Sequence, residues 1–275
     1  MSEVTNSPSY SYALATGDAA ARRLSLVNRV YGPECERILA TIEIPIGGRV
    51  VDFGCGTGAS LPWFAREVGQ QGKVIGLDAS AEQLAVAREN CAAANLANVS
   101  LKQASAYDSG LGEGLFDVAH CRLLLCHLQQ PEEALREMAS LVRPGGVVIC
   151  FDLDLHRLHA IPHIDCYDTM RALYLERRKR DGLDNDLALH MPAMMKYAGL
   201  RDIEMAIIHP VYFRGEEKRL WEYSFGESRG RTLEKKLIGA EDLDRLMAEI
   251  AAVGIDDSIG IAQASMPVCW ARKAT

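Results

Sequence analysis

The stretch Arg49-Val50-Val51-Asp52-Phe53-Gly54-Cys55-Gly56-Thr57-Gly58 places an acid and three alternating glycines directly behind a short apolar run. Glycine tolerates positive φ and leaves the main chain bare, so a ligand can lie against backbone where a side chain would clash. A helix starting just beyond such a turn adds unpaired N–H groups. The chemistry this suits is the grip of a nucleotide-like ligand. The element that must position it is a buried strand, a tight turn and a helix, and the apolar run followed by a periodic segment to Val68 supplies all three.

Spacing narrows the ligand. A dinucleotide fingerprint reads G-x-G-x-x-G/A, and a phosphate-binding P-loop needs Gly-Lys-Ser/Thr. Here the pattern is Asp52-x-Gly54-x-Gly56-x-Gly58. It resembles motif I of the class I S-adenosylmethionine-dependent methyltransferases, E/D-x-G-x-G-x-G, without a gap. Gly72 to Asp78 then reads as a second buried strand ending in an acid, 26 residues past Asp52. A carboxylate at that strand end can accept both hydrogen bonds of a ribose diol, and the resemblance gives Asp78 that role. Ser80 fits an N-cap for the helix through Ala94.

Further segments carry the likeness through residue 151. Gln103 to Asp108 stands where the family grips adenine with an acid or amide followed by Ala; here Ser105 replaces the acid and precedes Ala106. Leu115-Phe116-Asp117-Val118-Ala119-His120 reads as a fourth strand. Cys121-Arg122-Leu123-Leu124-Leu125-Cys126-His127-Leu128 follows in the register of the family's motif IV. By that register His120, Cys121 and Arg122 face the methionine part of the cofactor, whereas His127 holds a turn. Leu141 to Gly146 matches the L-x-P-G-G turn before a fifth strand, a fold marker. The implied cofactor-binding set is Tyr10, Tyr12, Asp52, Gly54, Cys55, Gly56, Thr57, Gly58, Asp78, Ala79, Gln83, Ser105, Ala106, His120, Cys121 and Arg122, and the implied cofactor is S-adenosyl-L-methionine.

The resemblance implies an α/β fold: a doubly wound, seven-stranded Rossmann-like sheet whose last strand is antiparallel, with helical cap insertions. Residues 1–44 form N-terminal lid helices, periodic from Ser11 to about Leu39, with Tyr10 and Tyr12 just ahead and Leu24, Val27 and Tyr31 on one face. Residues 45–151 form the cofactor-binding core. Residues 152–275 complete the sheet and carry acceptor-cap insertions at about 152–186 and 214–258. Between them run a Met-rich helix, Leu187 to Gly199, and a sixth strand, Asp202 to Phe213. Ala262 to Ala271 is the last strand.

The implied reaction is methyl transfer to an O, N or C atom of a small molecule, as in the secondary-metabolite and quinone-type branch. Where the acceptor must lose a proton, a histidine is the natural base. His120, His156, His159 and His163 are the candidates, with Tyr12 shaping the pocket beside Tyr10. Two alternatives share these motifs: a non-methylating cyclisation on the same fold, and an NAD(P)-dependent oxidoreductase.

Composition excludes other classes. At 275 residues and net charge −7, the chain has no basic stripe of the kind nucleic-acid binding needs. Arg177-Arg178-Lys179-Arg180 reads as a solvated helix face. Eight cysteines form no C-x-x-C pair and several lie in apolar runs, which suits a reducing compartment. His156 and His159 lack a ligand set around them, so no metal is expected. A polar N-terminus and the lack of a spanning apolar run predict a cytoplasmic protein with no membrane partner, a monomer or homodimer.

Overall fold

A computed structural model describes residues 18–275, with side chains from Arg22 onward. Tyr10, Tyr12 and the first part of the expected lid lie outside the described residues. The elements in order are α1 (Asp18–Leu39), β1 (Arg49–Phe53), α2 (Leu61–Val68), β2 (Lys73–Asp78), α3 (Ala81–Ala93), β3 (Val99–Gln103), β4 (Phe116–Arg122), α4 (Pro131–Leu141) and β5 (Val142–Phe151). They continue with β6 (His159–Ile161), α5 (Asp165–Arg180), α6 (Leu187–Tyr197), β7 (Leu200–Ile208), β8 (Val211–Tyr212), α7 (Leu220–Glu227), α8 (Arg229–Glu234), α9 (Ala240–Ile255), β9 (Gly260–Ala262) and β10 (Met266–Lys273).

Seven strands form one sheet in the order β3-β2-β1-β4-β5-β10-β7. The first five pair in parallel, and β10 runs antiparallel between β5 and β7. This is the doubly wound sheet with an antiparallel last strand that the sequence implied. The strand order reverses between β1 and β4, and in such sheets ligands bind beyond the carboxyl ends of the strands at that point.

The central strands are apolar on both faces because helices cover both. On one side α2 and α1 pack Phe64, Leu61, Leu26 and Tyr31 against Val50 and Val118. On the other, α4 and α6 set Met138, Leu135, Met191 and Met195 against Phe53 and Ala119. The methionine-rich helix is thus core filler. Cys121, Cys150 and Cys269 lie side by side on β4, β5 and β10, each fully buried.

Several boundaries differ from the sequence expectation. The helix after the glycine turn begins at Leu61 rather than Thr57, because Gly58 is in a left-handed conformation that a helix cannot continue. The expected sixth strand is split at His209-Pro210, and its second piece joins a small sheet, β6-β9-β8. That sheet was not predicted: its strands are two or three residues long and come from three distant segments. In the regions expected to form the cap, α5 lies within 152–186, and α7, α8 and α9 lie within 214–258.

Ion pairs fasten α1 to this cap. Arg23 meets Glu227 at 2.8 Å, and Arg29 reaches both Glu216 and Glu217. No helix among the described residues is long and apolar enough to cross a membrane.

Candidate functional site

Strand β1 delivers the chain into a turn where Gly54 and Gly56 both hold positive φ, +62° and +53°. They do different work. A β-carbon on Gly54 would stand 2.8 Å from the Leu124 side chain, so this glycine lets the segment after β4 close over the turn. A β-carbon on Gly56 would meet nothing nearer than Gln83 Oε1 at 3.9 Å. Its backbone faces open space.

Asp78, at the end of β2, fixes this turn. One carboxylate oxygen accepts from Gly56 N at 2.9 Å and the other from Ser80 N at 2.9 Å. Ser80 caps α3, its hydroxyl accepting from Gln83 N at 3.2 Å. The cap brings Gln83 to the turn, where its Oε1 is buried without a partner among the described residues. A buried acceptor left unpaired is costly and marks a place where a donor belongs. A bare glycine backbone, a strand-end carboxylate and this orphaned acceptor fit the nucleoside of S-adenosylmethionine.

The turn opens into a cavity of about 620 Å³. Its floor is Gly54, Cys55, Gly56, Thr57, Asp78 and Gln83. Its far side comprises Arg23, Val27 and Tyr31 of α1, Tyr174, Arg177 and Arg178 of α5, Trp221 and Glu227 of α7, and Arg231 of α8. Arg122 and His127 complete the wall between them. Arg122 donates to Asn28 Oδ1 at 2.5 Å, tying the end of β4 to α1.

Of the residues predicted from sequence, Asp52, Gly58, Ala79, Ser105, Ala106, His120 and Cys121 do not line this cavity. Ser105 is exposed, its hydroxyl accepting from Tyr107 N at 3.1 Å. Ala79 is exposed beyond β2, where its carbonyl takes Gln103 Nε2. Alternation along β4 sends Val118, His120 and Arg122 to one face and Cys121 to the other, into the core under α4. His120 is buried between the rings of Phe64 and Phe151, centroids 4.9 and 5.5 Å away, with Nδ1 2.7 Å from Asp52 Oδ1. It positions the first strand and does not reach the cavity.

The other proposed bases also sit elsewhere. His156 pairs with Asp186 at 3.1 Å, His163 with Asp168 at 2.7 Å, and His159 lies against the Arg157 carbonyl and the His209 ring. None of the three lines the cavity: His156 and His163 are exposed, and half-buried His159 opens the short strand that pairs with β9, although Leu155 of the same segment does reach the cavity.

The histidine that does line the cavity is His127, held in a single 3-10 turn, Leu125–His127. Asp152 shapes that turn by accepting from Cys126 N at 2.9 Å, and burial pushes its carboxyl up. Burial pushes His127 down to about 3, and Arg178, Arg23, Arg177 and Arg231 push the same way. The run 177–180 is likewise not the solvated face that its composition suggested: Arg177 and Arg178 are each 5% exposed, while Lys179 and Arg180 point outward. Among the described residues no group of three or more His, Cys, Asp or Glu side chains is placed to hold a metal ion.

Comparison with known proteins adds a family. Residues 50–146 match the family described as "Methyltransferase domain". This segment is a methyltransferase domain. The chain is similar to demethylmenaquinone methyltransferase of Shouchella clausii, 34% identical over 111 residues, 40% of this chain and 47% of that protein. The curated relatives it matches are spanned only over 25–58% of their length.

Among solved structures, a putative methyltransferase from Bacillus halodurans superimposes with TM-score 0.55 at 18% identity, covering 93% of this chain and 100% of that one. Phosphoethanolamine N-methyltransferase 2 of Haemonchus contortus, in complex with phosphomonomethylethanolamine and S-adenosylhomocysteine, does so with TM-score 0.54 at 18% identity. It covers 93% of this chain and 53% of that one. At these identities the likeness is one of fold. The methyltransferase domain covers β1 to the early part of β5; the arginine-lined wall lies outside it, except for Arg122.

Proposed function

We propose that this chain moves a methyl group from S-adenosylmethionine to a small molecule held beneath the cap. The observation that carries this reading is that one cavity joins the glycine turn and Asp78 to the cap helices, so two ligands can meet inside it. S-adenosylmethionine, when bound, supplies an already activated methyl. The protein's share is therefore to orient and to exclude water. Gly54, Gly56, Asp78 and Gln83 would hold the nucleoside, with Arg122 beside the methionine end.

The titratable groups around the cavity support an acceptor that brings its own lone pair. Burial pushes the thiols of Cys55 and Cys126 and the Tyr31 phenol up, and His127 is pushed far down. An efficient general base sits near the working pH. None of these four does.

Titration calorimetry with S-adenosylmethionine, S-adenosylhomocysteine and NAD(H), followed by incubation of methyl-labelled cofactor with a metabolite extract, tests the reading. Firm binding of both sulfur compounds and a labelled small product are expected. Binding of NAD(H) alone would overturn it, and firm cofactor binding without any labelled product would favour a non-methylating reaction such as a cyclisation.

A further inference from the structure

The cap half of the cavity concentrates positive charge in a protein whose net charge is −7. Among the described residues, Arg23, Arg122, Arg177, Arg178 and Arg231 all line it, against two carboxylates, Asp78 and Glu227. Asp78 belongs to the glycine turn. In the cap half Glu227 is shared with Arg23 at 2.8 Å, and Arg177 reaches Asp181 at 3.1 Å, where Lys235 competes for the same group.

Arg178 has the buried Asp152 carboxylate within electrostatic reach but no direct ion pair among the described residues. It is 5% exposed, and its guanidinium is held by two neutral oxygens, the Cys126 carbonyl at 2.9 Å and Asn185 Oδ1 at 3.1 Å. Arg23 Nη2 and Arg177 Nε are buried with no partner among the described residues. Desolvated guanidinium groups are tolerated when an anion compensates them, and their planar forks match carboxylate and phosphate oxygens.

We propose that the methyl acceptor carries a carboxylate or phosphate group, and that Arg23, Arg177, Arg178 and Arg231 hold it. This rests on the methyl-transfer reading for the word acceptor; the anion site itself rests on the arginines. The cofactor's own carboxylate does not account for the set. Arg122, at the end of β4 beside the glycine turn, is placed for that group, whereas Arg177 and Arg231 belong to cap helices on the far side. His127 lines the same part of the cavity and, kept neutral among the guanidiniums, adds no further charge there.

The test uses the full chain saturated with S-adenosylhomocysteine and three probes at constant ionic strength: benzoate, phenyl phosphate and benzyl alcohol. Titration calorimetry is expected to show at least one anion bound at least about tenfold more tightly than the alcohol, and the two anions separate carboxylate from phosphate. Arg177→Gln is expected to weaken the preferred anion by about tenfold or more while S-adenosylhomocysteine affinity stays within about twofold. Arg231→Gln, on a different helix, repeats the measurement should the first variant not fold. Equal binding of the alcohol, no binding of either anion, or anion affinity indifferent to the substitutions would overturn the proposal. So would a parallel loss of S-adenosylhomocysteine affinity, which would give the arginines to the cofactor. Failure of the unmodified chain to bind S-adenosylhomocysteine would instead sink the methyl-transfer reading, with anion binding then measured on the unloaded protein.

Discussion

The two ends of the cavity are built in opposite ways. At the floor, the lining comes from main chain: Gly54 and Gly56 in left-handed turns, and Asp78 bonded to Gly56 N and Ser80 N. Under the cap it comes from long side chains borne by helices far apart in sequence, Arg23 on α1, Arg177 on α5 and Arg231 on α8. A backbone cradle is rigid and serves one ligand. Side chains on separate helices can be exchanged singly, so the acceptor half can change while the cofactor half stays.

That contrast can be broken by substitution, and the floor should be the more sensitive. Gly56→Val puts a β-branched side chain into the opening at φ +53°, where an L residue is strained by about 1–2 kcal/mol. Calorimetry should find S-adenosylhomocysteine binding lost, with a folded protein by circular dichroism. Asp78→Ala removes both the turn's anchor and the proposed ribose contact. Its dissociation constant should rise by about 1.5–3 kcal/mol, roughly ten- to a hundred-fold. An unchanged constant in either variant would mean that the nucleoside lies elsewhere.

A second contrast lies between two histidines. His120 serves the sheet, so His120→Leu should destabilise the fold by about 1–3 kcal/mol in denaturant titrations by stranding the buried Asp52 carboxylate. Methyl transfer per folded molecule should persist; a selective loss of turnover would restore His120 as a catalytic candidate.

His127 gives the most specific signal. In the unfolded chain it protonates near its ordinary value of about 6.5, and in the fold only near 3. Below about 6.5 the unfolded state therefore binds the extra proton. The stability contributed is fully present above that value and is lost as pH falls toward 3. Stability measured against pH should decline over this window, and His127→Gln should flatten the decline.

Much of the floor was legible in the sequence because its signals are local. The acid and glycines of motif I, the strand ending at Asp78 and the Ser80 cap each lie within one short segment. The fold followed for the same reason, since an apolar run, a turn and a helix repeat through residue 151. The cap was not legible in detail. Four consecutive basic residues look alike on paper, and only the packing of α5 sends Arg177 and Arg178 inward and the next two out. The burial of His120 was not legible because its partner is a register neighbour: Asp52 stands opposite it on β1, a pairing that appears only once β1 and β4 are aligned. The surface histidines were plausible by count, not by place.

The row of Cys121, Cys150 and Cys269 across three adjacent strands has its own consequence. While the sheet is intact, oxidants cannot reach these sulfurs. Once the sheet opens, neighbouring sulfurs become free to cross-link in arrangements the native pleat cannot accommodate. Heating in air should therefore be a one-way journey, and heating under a reducing agent a return trip.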